Sequence, residues 1–345
     1  MTGERPARLA VVGSGWRAEH FFRIVRALPD RFELAGVAVR REAEVARLAG
    51  HGIEAVTELG RLDDVEPDFV VVATPAEANV DVCEALVAGG HSILLETPPG
   101  VNDGELDRML LLEQSGADIQ VAEQYPFQPL LAARLAVISS GRLGDITSAD
   151  VSVAHGYHGV ALIRAALGVG IDEFEVSADE HRSSITIGPD RAGPPTEDGV
   201  KPSVRTVATI TFDDQVGIHD WSDDQYFSWI RSLRFVVRGT RGELDGHEVR
   251  HLLGDGTPVQ QTLRRWDAGL EGNLEAPGHR GYLLGDEWVY RNPFPTARLT
   301  DDEIAIATVL QCMSDHAMNG TPVYSLGQAV HDTRIALAIT RAARG

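Results

Sequence analysis

VVGSGWRA, residues 11–18, decides how this chain is read. The apolar residues 8–12 ahead of it have the composition of a short strand. Residues 16–28 carry Phe21, Ile24, Val25 and Leu28 on one helical face. Gly13, Gly15 and Ala18 therefore stand as G-x-G-x-x-A at a strand-to-helix turn. In that context Gly13 allows a tight turn, and Gly15 lets backbone N–H groups approach a pyrophosphate. Ala18 lets the helix pack closely on the strand, and the helix N-terminus adds partial positive charge. The competing reading is an ordinary glycine-rich turn, since the motif alone is weak. The flanking strand and helix favour the nucleotide.

Outward from this turn, short apolar runs alternate with helical patterns. Strands are expected at 33–39, 68–73, 91–95 and 118–122, and helices at 77–88 and 104–114. Runs such as Val70–Val72, apolar at every position, suit strands covered on both faces, so the alternation predicts βαβ units and a parallel sheet. Beyond residue 123 the pattern changes. Helical stretches at 130–139 and 161–167 precede strands at 204–212, 216–221 and 233–237 with no helices between them, which predicts an antiparallel sheet. Helices at 301–318 and 326–341 close the chain. Residues 188–202 (GPDRAGPPTEDGVKP) have the composition of a long surface loop. The expected fold is α/β: an N-terminal Rossmann dinucleotide-binding domain over 1–123, and an α+β domain over 124–345 built on a large, mostly antiparallel open sheet.

Composition narrows the function classes. The 345 residues carry 31 basic and 51 acidic side chains, a net charge of −20, which disfavours binding to a nucleic-acid backbone. No apolar run reaches the length of a membrane span, and residues 1–8 are polar, so a cytoplasmic location and no membrane partner are expected. Cys83 and Cys312 are too few for a disulfide framework or a cysteine-rich zinc site, and no metal is expected. Lys201 is the sole lysine, and it falls in the 188–202 loop.

The end of the second strand normally chooses between cofactors, a carboxylate accepting the ribose 2′-OH of NAD or an Arg taking the 2′-phosphate of NADP. Here Val39 occupies the acidic position, and Arg40 and Arg41 follow. This favours NADP over NAD. The alternative is that both arginines are solvated helix-start residues facing Glu42 and Glu44.

Further segments join the glycine turn: the Thr-Pro turn Ala73–Pro75, LLETPPG at 94–100, AEQYPFQP at 122–129, GYHGVALIRAALG at 156–168 and VVRGTRGELDG at 236–246. Together they resemble the Gfo/Idh/MocA family of NAD(P)-dependent oxidoreductases over nearly the whole chain. The resemblance implies cofactor contacts from Gly13, Gly15, Trp16 and Arg17, from Arg40 and Arg41, from Thr74 and Pro75, and from Glu96 and Gln124. It also implies a homodimer or homotetramer formed through the C-terminal sheet, and a small-molecule substrate.

The departures fall on the chemistry. The family's Glu-Lys-Pro is Glu96-Thr97-Pro98 here, its His after the Thr-Pro turn is Asn79, and its His-x-x-Asp keeps His158 but has Ala161. Thr97 has no acid–base function near neutral pH. His158 is thus the remaining acid–base candidate, with Tyr157 and Thr97 as hydrogen-bonding partners and His155 beside them. A capped, purely structural His158 is the alternative, as is a core Tyr125. The run GIHDWSDD, 217–224, holds metal-capable side chains without a second ligand set, and reads as a strand end with an acidic turn. Trp221, Tyr226 and Trp229 are candidates for a dimer interface or for core.

The leading expectation is an NAD(P)-dependent oxidoreductase that moves hydride between nicotinamide and a secondary alcohol or carbonyl of a sugar or cyclitol derivative. A non-catalytic dinucleotide-binding sensor or interaction protein competes with it, because Lys and Asp are both missing. A lyase or glycosidase that uses a tightly held NAD transiently is a third reading.

Overall fold

A computed structural model of the chain describes residues 5–270 and 273–345; residues 1–4 of the polar N-terminal stretch lie outside it. Two sheets organise these residues. The first has five strands, β1 (Ala7–Val12), β2 (Phe32–Ala38), β3 (Phe69–Val72), β4 (Ile93–Leu95) and β5 (Ile119–Val121), all parallel in the order β2-β1-β3-β4-β5. β3, β4 and β5 are buried at every position, as strands covered on both faces must be. The helices α1 (Trp16–Ala27), α2 (Glu42–Ala49), α3 (Asn79–Ala88) and α4 (Asp103–Gln114) connect them. Of α2 the sequence marks only the start, in the alternative reading of Arg40 and Arg41 as helix-start residues, and Arg41 is its N-cap.

The second sheet has ten strands. From one edge they run Glu287–Arg291, Asn273–Leu284, Pro258–Leu270, Glu248–Leu252, Gly242–Asp245, Arg234–Gly239, Ile146–Ser152, Gln215–Ser222, Val200–Phe212 and Glu175–Thr186. Among the pairs whose register is described, only Ile146–Ser152 with Gln215–Ser222 is parallel. The fold is therefore α/β, a parallel Rossmann-like sheet followed by a large, mostly antiparallel one. The remaining helices are α5 (Pro129–Ser139), α6 (Gly156–Leu167), α7 (Asp301–Asn319) and α8 (Leu326–Arg344).

By compactness the chain forms two units. One comprises 1–129, 267–280 and 292–330; the other comprises 130–266, 281–291 and 331–345. In the first, one core gathers Leu9 and Val11 of β1, Phe21, Phe22 and Ile24 of α1, and Phe69 and Val71 of β3 with Ile304, Ile306, Val309, Leu310 and Met313 of α7. The helix starts sharply because Thr300 and Glu303 form a reciprocal capping box. In the second unit, α6 lies on the strands Ile146–Ser152 and Gln215–Ser222. Gly159 makes this approach possible, since a Cβ there would collide with the His219 ring and lie 2.7 Å from the Ala154 carbonyl oxygen.

Lys201 corrects the sequence reading. It belongs to the strand Val200–Phe212, paired in register with Ile185, and its Nζ lies 3.0 Å from Asp224 Oδ1. The loop therefore ends at residue 199. Pro202 is tolerated in the strand because pairing with Gln215–Ser222 begins only at Arg205.

Candidate active site

The C-terminal ends of all five parallel strands point to one edge of their sheet, where open α/β sheets bind ligands. The strand order reverses between β1 and β3, and the glycine turn follows β1. Gly13 sits at φ +125°, and its N–H donates to the Ala38 carbonyl at the end of β2. A Cβ at Gly13 would lie 2.9 Å from the Ala73 carbonyl carbon and closer still to its oxygen, so the turn packs directly on the Thr-Pro turn after β3. At Gly15 the reverse holds. It is the N-cap of α1 with no side-chain cap, and no atom beyond its chain neighbours lies within 4 Å of where its Cβ would be. The turn thus presents a helix N-terminus with open space before it, the arrangement that receives an anionic phosphate.

The expected cofactor residues of this edge divide into groups. Arg17 lies with its guanidinium 4.9 Å from the centre of the exposed Trp16 ring. Its Nε is 3.5 Å from Glu96 Oε1, and in the orientation that satisfies the Gln124 amide, the Gln124 oxygen accepts from Arg17 Nη2 at 3.2 Å. The structure therefore brings Trp16, Arg17, Glu96 and Gln124 together. It adds Asp302, at the start of α7, 3.8 Å from Arg17 Nη1 and 3.9 Å from His20 Nε2, a residue that no sequence signal marks. Burial pushes His20 below the ordinary histidine range.

Thr74 and Pro75 form the turn after β3. Thr74 Oγ1 donates to Asn79 Oδ1 at 2.8 Å, and Asn79 Nδ2 donates to the Pro98 carbonyl at 2.9 Å. Asn79, where the resemblance has His, thus ties two strand-end turns together from a fully buried position. Thr97 is half-buried in the second of these turns, where the Thr97–Pro98 peptide is cis. After β2, Val39 is buried and Arg40 exposed, while Arg41 turns onto Glu44, with Nη2 3.2 Å from Glu44 Oε1.

The proposed acid–base group belongs to the other unit. His158 lies in the first turn of α6, and its side chain is 4% exposed. Its ring packs 4.4 Å from Tyr157 and 5.2 Å from His155 between centroids. His155 Nδ1 is 2.5 Å from the Tyr226 hydroxyl, which also accepts from the His155 N–H at 3.2 Å. Burial pushes His155 down to about 4, so its ring is neutral near pH 7 and shares one hydrogen bond with the phenol through Nδ1. Tyr226, weighed in the sequence only as interface or core, is thus part of this cluster and is 38% exposed. Ala161 is buried, and no acid stands in its place on the helix. Trp221 is buried, whereas Trp229 is exposed.

The carboxylates of 217–224 are engaged structurally. Asp220 pairs with Arg205 and Arg234, Asp223 accepts from the Trp221 indole at 3.0 Å, and Asp224 accepts from Ser222 Oγ at 3.0 Å and lies beside Lys201. Among the described residues no three His, Cys, Asp or Glu side chains are placed to hold a metal ion. Among them, too, no helix is long and apolar enough to cross a membrane.

With this geometry in place, comparison with known proteins bears directly on the first unit. Residues 7–123 match the Gfo/Idh/MocA family model, an oxidoreductase family with an NAD-binding Rossmann fold. Over this domain the chain is similar to the Gfo/Idh/MocA oxidoreductases. It is 31% identical over 141 residues to the rhizopine catabolism protein MocA of Rhizobium meliloti, covering 40% of this chain and 44% of that protein. It is 28% identical over 180 residues to inositol 2-dehydrogenase 2 of Saccharopolyspora erythraea, covering 49% and 52%. The chain thus spans about half the length of these curated relatives. An oxidoreductase from Agrobacterium radiobacter, solved in complex with NAD+, L-tartaric acid and magnesium, shares the fold over 98% of this chain and 96% of its own, with TM-score 0.67 and 14% identity. The NAD-binding Rossmann domain is the part of the expectation that the match covers.

Proposed function

We propose that this chain is an NAD(P)-dependent oxidoreductase acting on a secondary alcohol or carbonyl, of a sugar or cyclitol. The observation that carries this reading is the glycine turn. Gly13 is pressed against Ala73 at the reversal of strand order, and Gly15 opens the N-terminus of α1 to an anion. These residues fit a dinucleotide, with Gly13, Gly15 and Trp16 at the pyrophosphate and Arg17, Glu96 and Gln124 further along the same strand ends. When bound, the nicotinamide supplies the hydride donor or acceptor. The chain's own task is to hold the substrate and move one proton to or from its oxygen. His158 is assigned that proton, with Tyr157 and Thr97 as hydrogen-bond partners. The sugar or cyclitol class is supported by the inositol dehydrogenase among the relatives. We also carry the boundary at 123/124 as the functional division between cofactor and substrate domains, and self-association through the large sheet.

A second reading is favoured by a specific observation. The family's Lys and Asp positions hold Thr97 and Ala161, and His158 is almost fully buried. A chain of this kind binds the dinucleotide without turnover. Both readings are tested by a substrate screen over cyclitols, sugars and small carbonyls, followed at 340 nm with each cofactor. Turnover is expected on at least one class, with a ~10²–10⁴-fold loss in His158→Ala, the usual contribution of general acid–base catalysis. Full activity in His158→Ala removes the proton role from His158. Tight dinucleotide binding with no turnover on any class selects the second reading.

A further inference from the structure

The side chain in the middle of the glycine turn is already engaged. Ser14 Oγ donates to Glu44 Oε2 at 2.8 Å, reaching from the turn after β1 to the first turn of α2. Arg47, one turn further along α2, donates from Nε to the same Glu44 oxygen at 3.0 Å and from Nη2 to the Ser14 carbonyl at 2.8 Å. Its Nη1 reaches Glu19 on α1 at 3.1 Å. Arg41 contacts the other Glu44 oxygen at 3.2 Å. The carboxylate is 22% exposed, so it is held in place by the turn while still open to solvent.

This cluster occupies the region where a Rossmann fold handles the adenosine ribose, between the glycine turn and the end of β2. A carboxylate on the last residue of β2 or just after it normally accepts the 2′-OH. Val39 is buried and has no acceptor to offer. Glu44 is a carboxylate bonded directly to the G-x-G turn, and it arrives from α2. The two guanidinium groups that contact it, those of Arg41 and Arg47, are matched in charge by Glu44 and Glu19. The cluster therefore has no surplus positive charge to offer a phosphate dianion, and a 2′-phosphate entering it meets an ionised carboxylate.

We propose that Glu44, held by Ser14 and Arg47, is the cofactor-selecting residue of this chain, accepting the ribose 2′-OH of NAD(H) and rejecting the 2′-phosphate of NADP(H). This rests on the dinucleotide reading above, and it replaces the NADP preference that Val39 and Arg40 suggest when only the strand end is considered. Arg41, counted there as a phosphate ligand, serves instead to hold the carboxylate.

Isothermal titration calorimetry with NADH and NADPH on the full chain tests it without requiring a substrate. The wild type is expected to bind NADH more tightly. Glu44→Gln keeps an acceptor for Ser14 but removes the charge, and should shift the NADPH-to-NADH affinity ratio toward NADPH by roughly tenfold or more, since like-charge juxtaposition is a strong discriminator. Arg40→Ala should leave that ratio within about twofold. Thermal melts of the variants in the absence of cofactor show whether Glu44→Gln has disturbed folding, and Glu44→Asp, which restores the charge, should restore the NADH preference. A wild type that prefers NADPH, or an unchanged ratio in Glu44→Gln, overturns the assignment to Glu44 while leaving the dinucleotide reading intact. Failure of the wild type to bind either dinucleotide overturns the proposed function, and this inference with it.

Discussion

The two glycines of the phosphate turn face opposite environments, and this makes their roles separable by substitution. Gly13→Ala places a Cβ 2.9 Å from the Ala73 carbonyl carbon, and nearer to its oxygen, on a residue held at φ +125°. Ala73 cannot retreat freely, because its N–H is bonded to the Val12 carbonyl at 2.9 Å. A side chain at such a dihedral angle costs about 1–3 kcal/mol, and forcing atoms into packed surroundings costs about 1–3 kcal/mol more. The sum is about 2–6 kcal/mol. For a unit of this size each kcal/mol lowers Tm by about 2–4 °C, so a fall on the order of 10 °C is expected. At Gly15 an added Cβ meets nothing within 4 Å beyond its chain neighbours, and φ −78°, ψ −175° is backbone that valine adopts readily. The effect of Gly15→Val on stability should stay within about 1 kcal/mol, the scale of an N-cap change. Its side chain, however, fills the space before the helix N-terminus. Two charge-assisted hydrogen bonds lost there, at about 1.5 kcal/mol each, correspond to about a hundredfold in affinity. Far-UV circular dichroism melts and NADH calorimetry on both variants distinguish the roles. The reasoning is refuted if Gly13→Ala melts like the wild type, or if Gly15→Val binds NADH as the wild type does.

Two further outcomes concern stability. Arg164 of α6 and Asp332 of α8 form a pair with side chains 2% and 3% exposed, and Arg164 Nε also donates to the Gly170 carbonyl at 3.1 Å. Asp332→Ala strands a buried guanidinium and should cost about 3–5 kcal/mol in urea unfolding; a loss under about 1 kcal/mol contradicts this account. His155 is pushed by burial from 6.5 to about 4, so the unfolded chain takes up a proton near pH 6.5 and the folded chain only near pH 4. Its contribution is complete above pH 6.5 and is lost as pH falls through that window, up to about 3 kcal/mol. Urea midpoints at pH 7, 5.5 and 4.5 should converge between wild type and His155→Gln as acid is added, and parallel curves would exclude His155 as the source.

Much of the first unit is legible in the sequence because its information is local. Each parallel strand is a short apolar run, each crossover helix follows within a few residues, and the glycine turn joins β1 to α1 with no long-range partner needed to recognise it. The helix at 42–49 is marked in the sequence only at its start, because it has one buried residue, Leu48, and hence no apolar stripe to show its extent. The candidate site is less legible. Gly13, Gly15, Glu96 and Gln124 are named by their places at strand ends, but Glu44 and Tyr226 are not, because their partners Ser14 and His155 lie 30 and 71 positions away.

By itself the sequence determined the class of fold, the glycine turn between β1 and α1, and the presence of Thr97 and Ala161 at their positions, since these depend on residue type and spacing along the chain. The tertiary structure alone decided which apolar stripe meets which. An amphipathic helix such as 301–319 specifies that one face must be buried, but burial is indifferent to the identity of the covering surface. Only the folded chain shows that this face joins Phe21, Phe22 and Leu9 in the first core and sets Asp302 beside Arg17. The same holds for charge. Arg41 reads as a phosphate ligand or a solvated helix-start residue until the fold joins Glu44 to Ser14 and sets Arg41 and Arg47 on that carboxylate. An ion pair or a hydrogen bond is a statement about distance in space, and the fold sets that distance.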